Sequence, residues 1–135
     1  MKLGNPNARV DRKLEVIKIS SHPPLEVKLV CTEFTCRCPI TNQPDWANLI
    51  IEYVPDEVIV ESKSVKLYLE TWRDEGIFHE HLAQAILKDF VTALNPIWCS
   101  VTVSFNTRGG IAITATAQYY KGENEEVEVR PMPLE

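Results

Sequence analysis

Apolar and polar residues alternate near both ends of the chain and follow a helical period between them. In LEVKLVCTEF (25–34), Val27, Leu29 and Cys31 fall on one side, the two-residue period of a half-buried strand. CPITNQPD (38–45) holds two prolines, an asparagine and an aspartate and reads as a loop. WANLIIEYV (46–54) predicts a second strand with Leu49, Ile51 and Tyr53 on one side. PDE then turns the chain and VIVES extends it again.

The period changes in SKSVKLYLETWRDEG, where Val65, Leu69 and Trp72 recur at i, i+4 and i+7, with Lys66, Glu70 and Arg73 on another face. This predicts an amphipathic helix with Ser62 or Ser64 as N-cap and Gly76 as the stop. FHEHLAQAILKDFVTALNP predicts a second helix: Leu82, Ile86 and Phe90 form its stripe, Leu87, Val91 and Leu94 widen it, and Asn95-Pro96 ends it. WCSVTVSFN (98–106) alternates strictly, TRGG turns, and IAITATAQYY (111–120) is a last strand with Ile111, Ile113, Ala115 and Ala117 on one face. The order β-β-α-α-β-β predicts an α+β fold, an antiparallel sheet with a helix pair on one face. Residues 1–23, broken by Pro6, Pro23 and Pro24, read as an arm, 24–120 as the folded domain and 121–135 as a loose acidic tail.

The 135 residues suit one domain. A net charge of -5 argues against a nucleic-acid or membrane-surface binder. No apolar run approaches the ~20 residues of a membrane span, and the first residues lack the apolar middle of a secretory signal. The expected location is the cytoplasm. There the four cysteines, Cys31, Cys36, Cys38 and Cys99, pack, ligate metal or react rather than pair.

Cys38 precedes Pro39, which holds it extended at the mouth of a loop, where a thiolate can be both exposed and ionised. Arg37 could favour that thiolate if its charge points inward; otherwise Cys38 packs under the loop. A zinc set of Cys36, Cys38, Cys99 and a histidine is weakly indicated by a single C-x-C. Asp45 either caps the turn or serves as a general acid. In VESKSVKLY, Lys63 and Lys66 stand at a helix start, which suits phosphate or simply solvent. In FHEH, Glu80 either complements the helix dipole or accepts two N–H donors of a guanine-like edge, with His79 on a carbonyl and Phe78 stacked on a flat ring. Arg108 in TRGG is a turn residue or a phosphate contact.

Taken in order, EFTCRCPITNQPDW, VESKSVKLY, FHEH and TRGGI resemble the NADPH-dependent 7-cyano-7-deazaguanine reductases of queuosine biosynthesis, over about Glu33 to Tyr119. ESKSVKLY matches that family's cofactor-associated signature; Asn42 stands where a glycine is expected. The resemblance implies a tunnelling fold, ββααββ subunits assembled as a homo-oligomer of stacked rings, with sites at subunit interfaces. It implies that Cys38 attacks the nitrile carbon to form a thioimide and that Asp45 protonates the nitrile nitrogen. It assigns Val60, Glu61, Ser62, His79 and Glu80 to the deazaguanine, and Ser62, Lys63, Lys66, Arg108 and Gly109 to NADPH. No G-x-G-x-x-G is present, so the cofactor must be held another way. Related readings within the fold are a zinc cyclohydrolase and an amidinotransferase acting on a deazaguanine in tRNA; a non-catalytic assembly module is the third.

Overall fold

A computed structural model describes residues 12–20, 22–107 and 109–122. The strands are β1 (Val16–Lys18), β2 (Val27–Arg37), β3 (Pro44–Val54), β4 (Val58–Val60), β5 (Trp98–Phe105) and β6 (Thr114–Tyr120); the helices are α1 (Ser62–Glu70) and α2 (His79–Leu94). β2-β3-β5-β6 form an antiparallel sheet in that order, and β1 pairs with β4 in a second, two-stranded sheet.

The alternation along β3 and β5 does what its period requires. Leu49, Ile51 and Tyr53, with Cys99, Val101, Val103 and Phe105, are buried on one face. α2 lies on that face against β5 and β6, burying Leu82, Ile86, Leu87, Phe90 and Leu94. Asn95, left-handed at φ 45°, ends the helix before Pro96.

β2 carries a bulge between Cys31 and Phe34. Before it, Val27, Leu29 and Cys31 are half-buried; after it, Phe34 and Cys36 are buried. The extra residue therefore switches the inward parity and turns Cys36 into the core just before the chain leaves the sheet at Cys38.

Several expectations change. Within the segment expected as an arm, Val16–Lys18 is a strand paired with Val58–Val60; three residues are too few to show a period. The N-cap of α1 is neither serine: Glu61 caps it, its Oε1 accepting from the Lys63 amide at 3.2 Å. Ser64 is instead buried, its hydroxyl donating to the Glu61 carbonyl at 2.7 Å. α1 also ends at Glu70, well before Gly76. There the amides of Thr71, Trp72 and Arg73 donate to carbonyls three residues back, tightening the last turn. Tyr68, absent from the predicted stripe, is fully buried, with its hydroxyl on Asp89 at 2.6 Å. β6 begins at Thr114, leaving Ile111 exposed. The tail beyond residue 122 lies outside the described residues.

Candidate active site

The loop after β2 is closed on itself. The Cys38 amide donates to the Gln43 carbonyl at 2.9 Å, and the Asn42 amide donates to the Cys38 carbonyl at 3.0 Å. This closure puts Asn42 at φ 60°. Asparagine is among the few side chains that tolerate the left-handed region, which accounts for its presence where a glycine is expected.

The loop also directs donors at sulfur. The Thr41 hydroxyl and the backbone of Thr41 and Ile40, as hydrogen-bonding groups at the sulfur, lower the Cys38 thiol from its ordinary value of 9.0, against burial and the Asp45 charge; the Thr41 hydroxyl also lies 3.5 Å from Gln43 Oε1. Such bonds favour the thiolate because ionised sulfur is the better acceptor. The Arg37 guanidinium does not serve this purpose. It donates to the Asn42 carbonyl at 3.0 Å and pairs with Asp74 at 3.3 Å. Cys36 is the opposite case: it is buried, and burial, then the charges of Asp45 and Cys38, push its thiol up to about 12. Cys99 is pushed up to about 12 by burial as well. Of these three thiols, only that of Cys38 is lowered.

Asp45, expected in the loop, is the second residue of β3 and lies across the ladder from Cys36. It is 4% exposed, and its Oδ2 lies 3.4 Å from His79 Nε2. His79 opens α2, and its imidazole lies flat on Phe105, the last residue of β5. Pairing of Ala47 with Phe105 brings that ring to the Asp45 end of β3. The end of β2, the start of β3, the end of β5 and the start of α2 therefore converge. A shallow cleft of about 220 Å³ passes Asp45, lined by Pro44, Trp46, Phe105, Asn106 and Thr107. Glu80 and Phe78 are exposed nearby in sequence. Thr41 and Trp46 lie within EFTCRCPITNQPDW but are given no role by the sequence, and Phe105 has the signature of an ordinary core position.

The other expected residues form a second group. Val60 is buried at the end of β4, its amide donating to the Tyr53 hydroxyl at 3.1 Å. Glu61 is 1% exposed. Ser62 and Lys66 are exposed on α1, and Lys63 is half-buried. Two ammonium groups and a hydroxyl at the start of a helix suit dinucleotide phosphates. Gly109, at φ 59°, sits in a turn with open space where a Cβ would be; Arg108 lies outside the described residues. The Tyr53 end of β3, where Val60 is anchored, stands eight residues from Asp45, roughly 26 Å along a strand. Cys38 and Cys99 share no site either, because Cys99 pairs with Tyr53 at that far end. Among the described residues no three His, Cys, Asp or Glu side chains could hold a metal ion.

Residues 44–124 match the family described as QueF-like protein. The chain belongs to the QueF-like family. It is 57% identical over 118 residues to an NADPH-dependent 7-cyano-7-deazaguanine reductase of Frankia casuarinae, covering 87% of this chain and 94% of that one. It is 53% identical over 116 residues to the enzyme of the same name from Syntrophus aciditrophicus, covering 84% and 82%. The archaeosine synthase QueF-Like, in its apo form, aligns with a TM-score of 0.63 at 25% identity, over 73% of this chain and 95% of that chain. The QueF-like chain thus has the tunnelling fold, and its relatives by sequence are NADPH-dependent oxidoreductases.

Proposed function

We propose that the chain reduces the nitrile of 7-cyano-7-deazaguanine to an aminomethyl group with NADPH, a step of queuosine biosynthesis, and that it does so through a covalent thioimide on Cys38. The observation that carries the covalent step is the closed loop that holds Cys38 half-exposed, its amide on the Gln43 carbonyl and its carbonyl on the Asn42 amide, near the buried Asp45 carboxyl; the lowered thiol of Cys38 agrees with it.

A nitrile is a poor hydride acceptor. Addition of the Cys38 thiolate to its carbon, with a proton delivered to its nitrogen through Asp45, gives a sulfur-bound C=NH that accepts hydride readily. When bound, NADPH supplies that hydride. Expulsion of the Cys38 thiolate leaves an imine, whose own C=N takes the second hydride and a second proton to give the amine. Two NADPH and two protons are consumed in all. Glu80 accepts from the two N–H donors of the guanine-like edge, and His79 keeps its place beside Asp45 against the base. Ser62, Lys63 and Lys66 with Arg108 and Gly109 hold the phosphates. Val60, Glu61 and Ser62 complete the base pocket.

The ~26 Å separation along β3 supports a further step: the Val60–Lys66 half of each site comes from a neighbouring copy in a homo-oligomer of stacked rings. The substrate is a small molecule, with no nucleic acid or membrane partner. No described helix is long and apolar enough to cross a membrane. Four free cysteines suit the reducing cytoplasm.

The test is mass spectrometry of the protein with the nitrile and no NADPH. Cys38 gains the mass of the ligand, Cys38→Ala does not, and added NADPH releases the amine. A mutant that still carries the adduct would sink the assignment of Cys38.

A further inference from the structure

Nucleophile and acid hang on different elements, and one short connection reaches both. Residues 71–78 leave α1, pass the end of β2 and enter α2, where His79 meets Asp45. At its middle the connection runs parallel to the last residue of β2: the Arg37 amide donates to the Glu75 carbonyl at 2.8 Å, and the Ile77 amide donates to the Arg37 carbonyl at 3.2 Å. Gly76, between them, is pressed against the start of the Cys38 loop. A Cβ on it would stand 3.1 Å from Pro39 Cα and 3.7 Å from the Cys38 carbonyl oxygen. The nearer atom is backbone, which cannot swing aside as a side-chain end can. Among the described glycines, Gly109, Gly110 and Gly122 have positive φ and Gly76 does not. The position therefore demands space rather than an unusual conformation.

The outer side of the same connection is held by Arg12. Its guanidinium lies over Trp72 at 3.9 Å from the ring centre, its Nη2 pairs with Glu75 at 2.7 Å, and its Nε donates to the Thr71 hydroxyl at 3.1 Å. Glu75 thus faces both ways, with its side chain on Arg12 and its carbonyl on Arg37.

We infer that Gly76 is a positioning residue for the Cys38 nucleophile. It sets the distance between the cysteine loop and the connection that delivers His79 to Asp45, and Arg12 holds that connection in place. The inference rests on the reading of Cys38 as nucleophile. A methyl at 76 forces Pro39 outward by a few tenths of an ångström, and with it the Ile40 and Thr41 donors that favour the thiolate.

The experiment compares the full chain with Gly76→Ala and with Arg12→Gln. Four quantities are read: the pH profile of Cys38 alkylation by iodoacetamide, the rate of nitrile adduct formation without NADPH, the KM for NADPH, and the melting temperature. For Gly76→Ala the alkylation midpoint moves up towards that of an ordinary thiol. The adduct forms about tenfold more slowly, in line with the cost of small misplacements of reacting groups, and the KM for NADPH is unchanged. Arg12→Gln moves the same quantities in the same direction, by less. A folded Gly76→Ala protein with the unaltered midpoint and adduct rate overturns the inference. Should Gly76→Ala not fold, an unaltered midpoint in Arg12→Gln overturns it instead. If the parent chain forms no adduct at all, the nitrile reading fails, and the alkylation profile alone decides the role of Gly76.

Discussion

The imidazole of His79 lies flat on the ring of Phe105, centroids 3.5 Å apart and planes 5° from parallel. The stack fixes the ring plane and so aims Nε2 at Asp45, 3.4 Å away. Phe105→Leu keeps an apolar group in the buried site but removes the flat surface. The expected stability loss is about 1 kcal/mol, a shift of several degrees in Tm. The expected loss in kcat is larger, about tenfold, because Asp45 loses a fixed partner. Phe105→Tyr retains the stack and most of the rate. Thermal melts and steady-state kinetics on the two variants check this; equal kcat values for leucine and tyrosine would show that the stack has no part in turnover.

The cysteines differ in a way that chemistry can read. Cys38 is held below its ordinary value by the Thr41 and Ile40 donors, whereas Cys36 and Cys99 are pushed up to about 12 by burial. Iodoacetamide at neutral pH should therefore modify Cys38 in the folded protein and leave Cys36 and Cys99 intact, as peptide mass spectrometry would show. Thr41→Val removes the hydroxyl donor, so its alkylation midpoint should rise. The sign for folding follows from the same shift. A group with a depressed folded pKa stabilises the fold above its unfolded value and loses that contribution as pH falls through the folded one. Acidification from alkaline pH should cost Thr41→Val less stability than the parent chain.

Much of this site was legible because it lies where regular patterns break. Cys38, Asp45 and His79 each sit at the boundary of a strand or helix, and Pro39 and Pro44 announce the first two of these boundaries. What was hidden is what depends on contact between distant segments. The bulge that turns Cys36 inward leaves no mark in the alternation until the partner strand is known. Glu61 displaced the serines as N-cap because its carboxylate reaches the Lys63 amide, while Ser64 is drawn into the core by the Glu61 carbonyl and by the Glu15 amide at 3.0 Å. Gly76, read as a helix stop, is required by Pro39, 37 positions earlier in the chain. A three-residue strand such as Val16–Lys18 has no period to detect.

Glu80 tests recognition of the base separately from the chemistry. It is exposed in the first turn of α2, so Glu80→Ala should cost the fold little more than a favourable dipole contact, a few tenths of a kcal/mol to about 1 kcal/mol. Loss of a charged acceptor for two N–H groups should weaken nitrile binding by about tenfold to a hundredfold, with NADPH affinity unchanged. Titration calorimetry with each ligand distinguishes this from a general loosening of α2, which would weaken both.

The distance between the two residue groups leads to the last prediction. The cysteine, aspartate and histidine gather at one end of β3, while Val60 is tied to Tyr53 at the other, and side chains roughly 26 Å apart along a strand cannot hold one small ligand. If a neighbouring copy supplies the missing half, two crippled proteins can repair each other. Cys38→Ala lacks the nucleophile; a Lys63→Ala, Lys66→Ala double variant lacks the phosphate contacts and should show a raised KM for NADPH that depends less on ionic strength than that of the parent chain. Dissociated, mixed in equal amounts and reassembled, they form sites at random. About a quarter of those sites combine an intact cysteine half with an intact lysine half, as a heterologous ring interface requires. Turnover at low NADPH should then exceed the sum of the separate proteins. No gain on mixing, with mixed oligomers demonstrated by native mass spectrometry, would place both halves of the site within one chain.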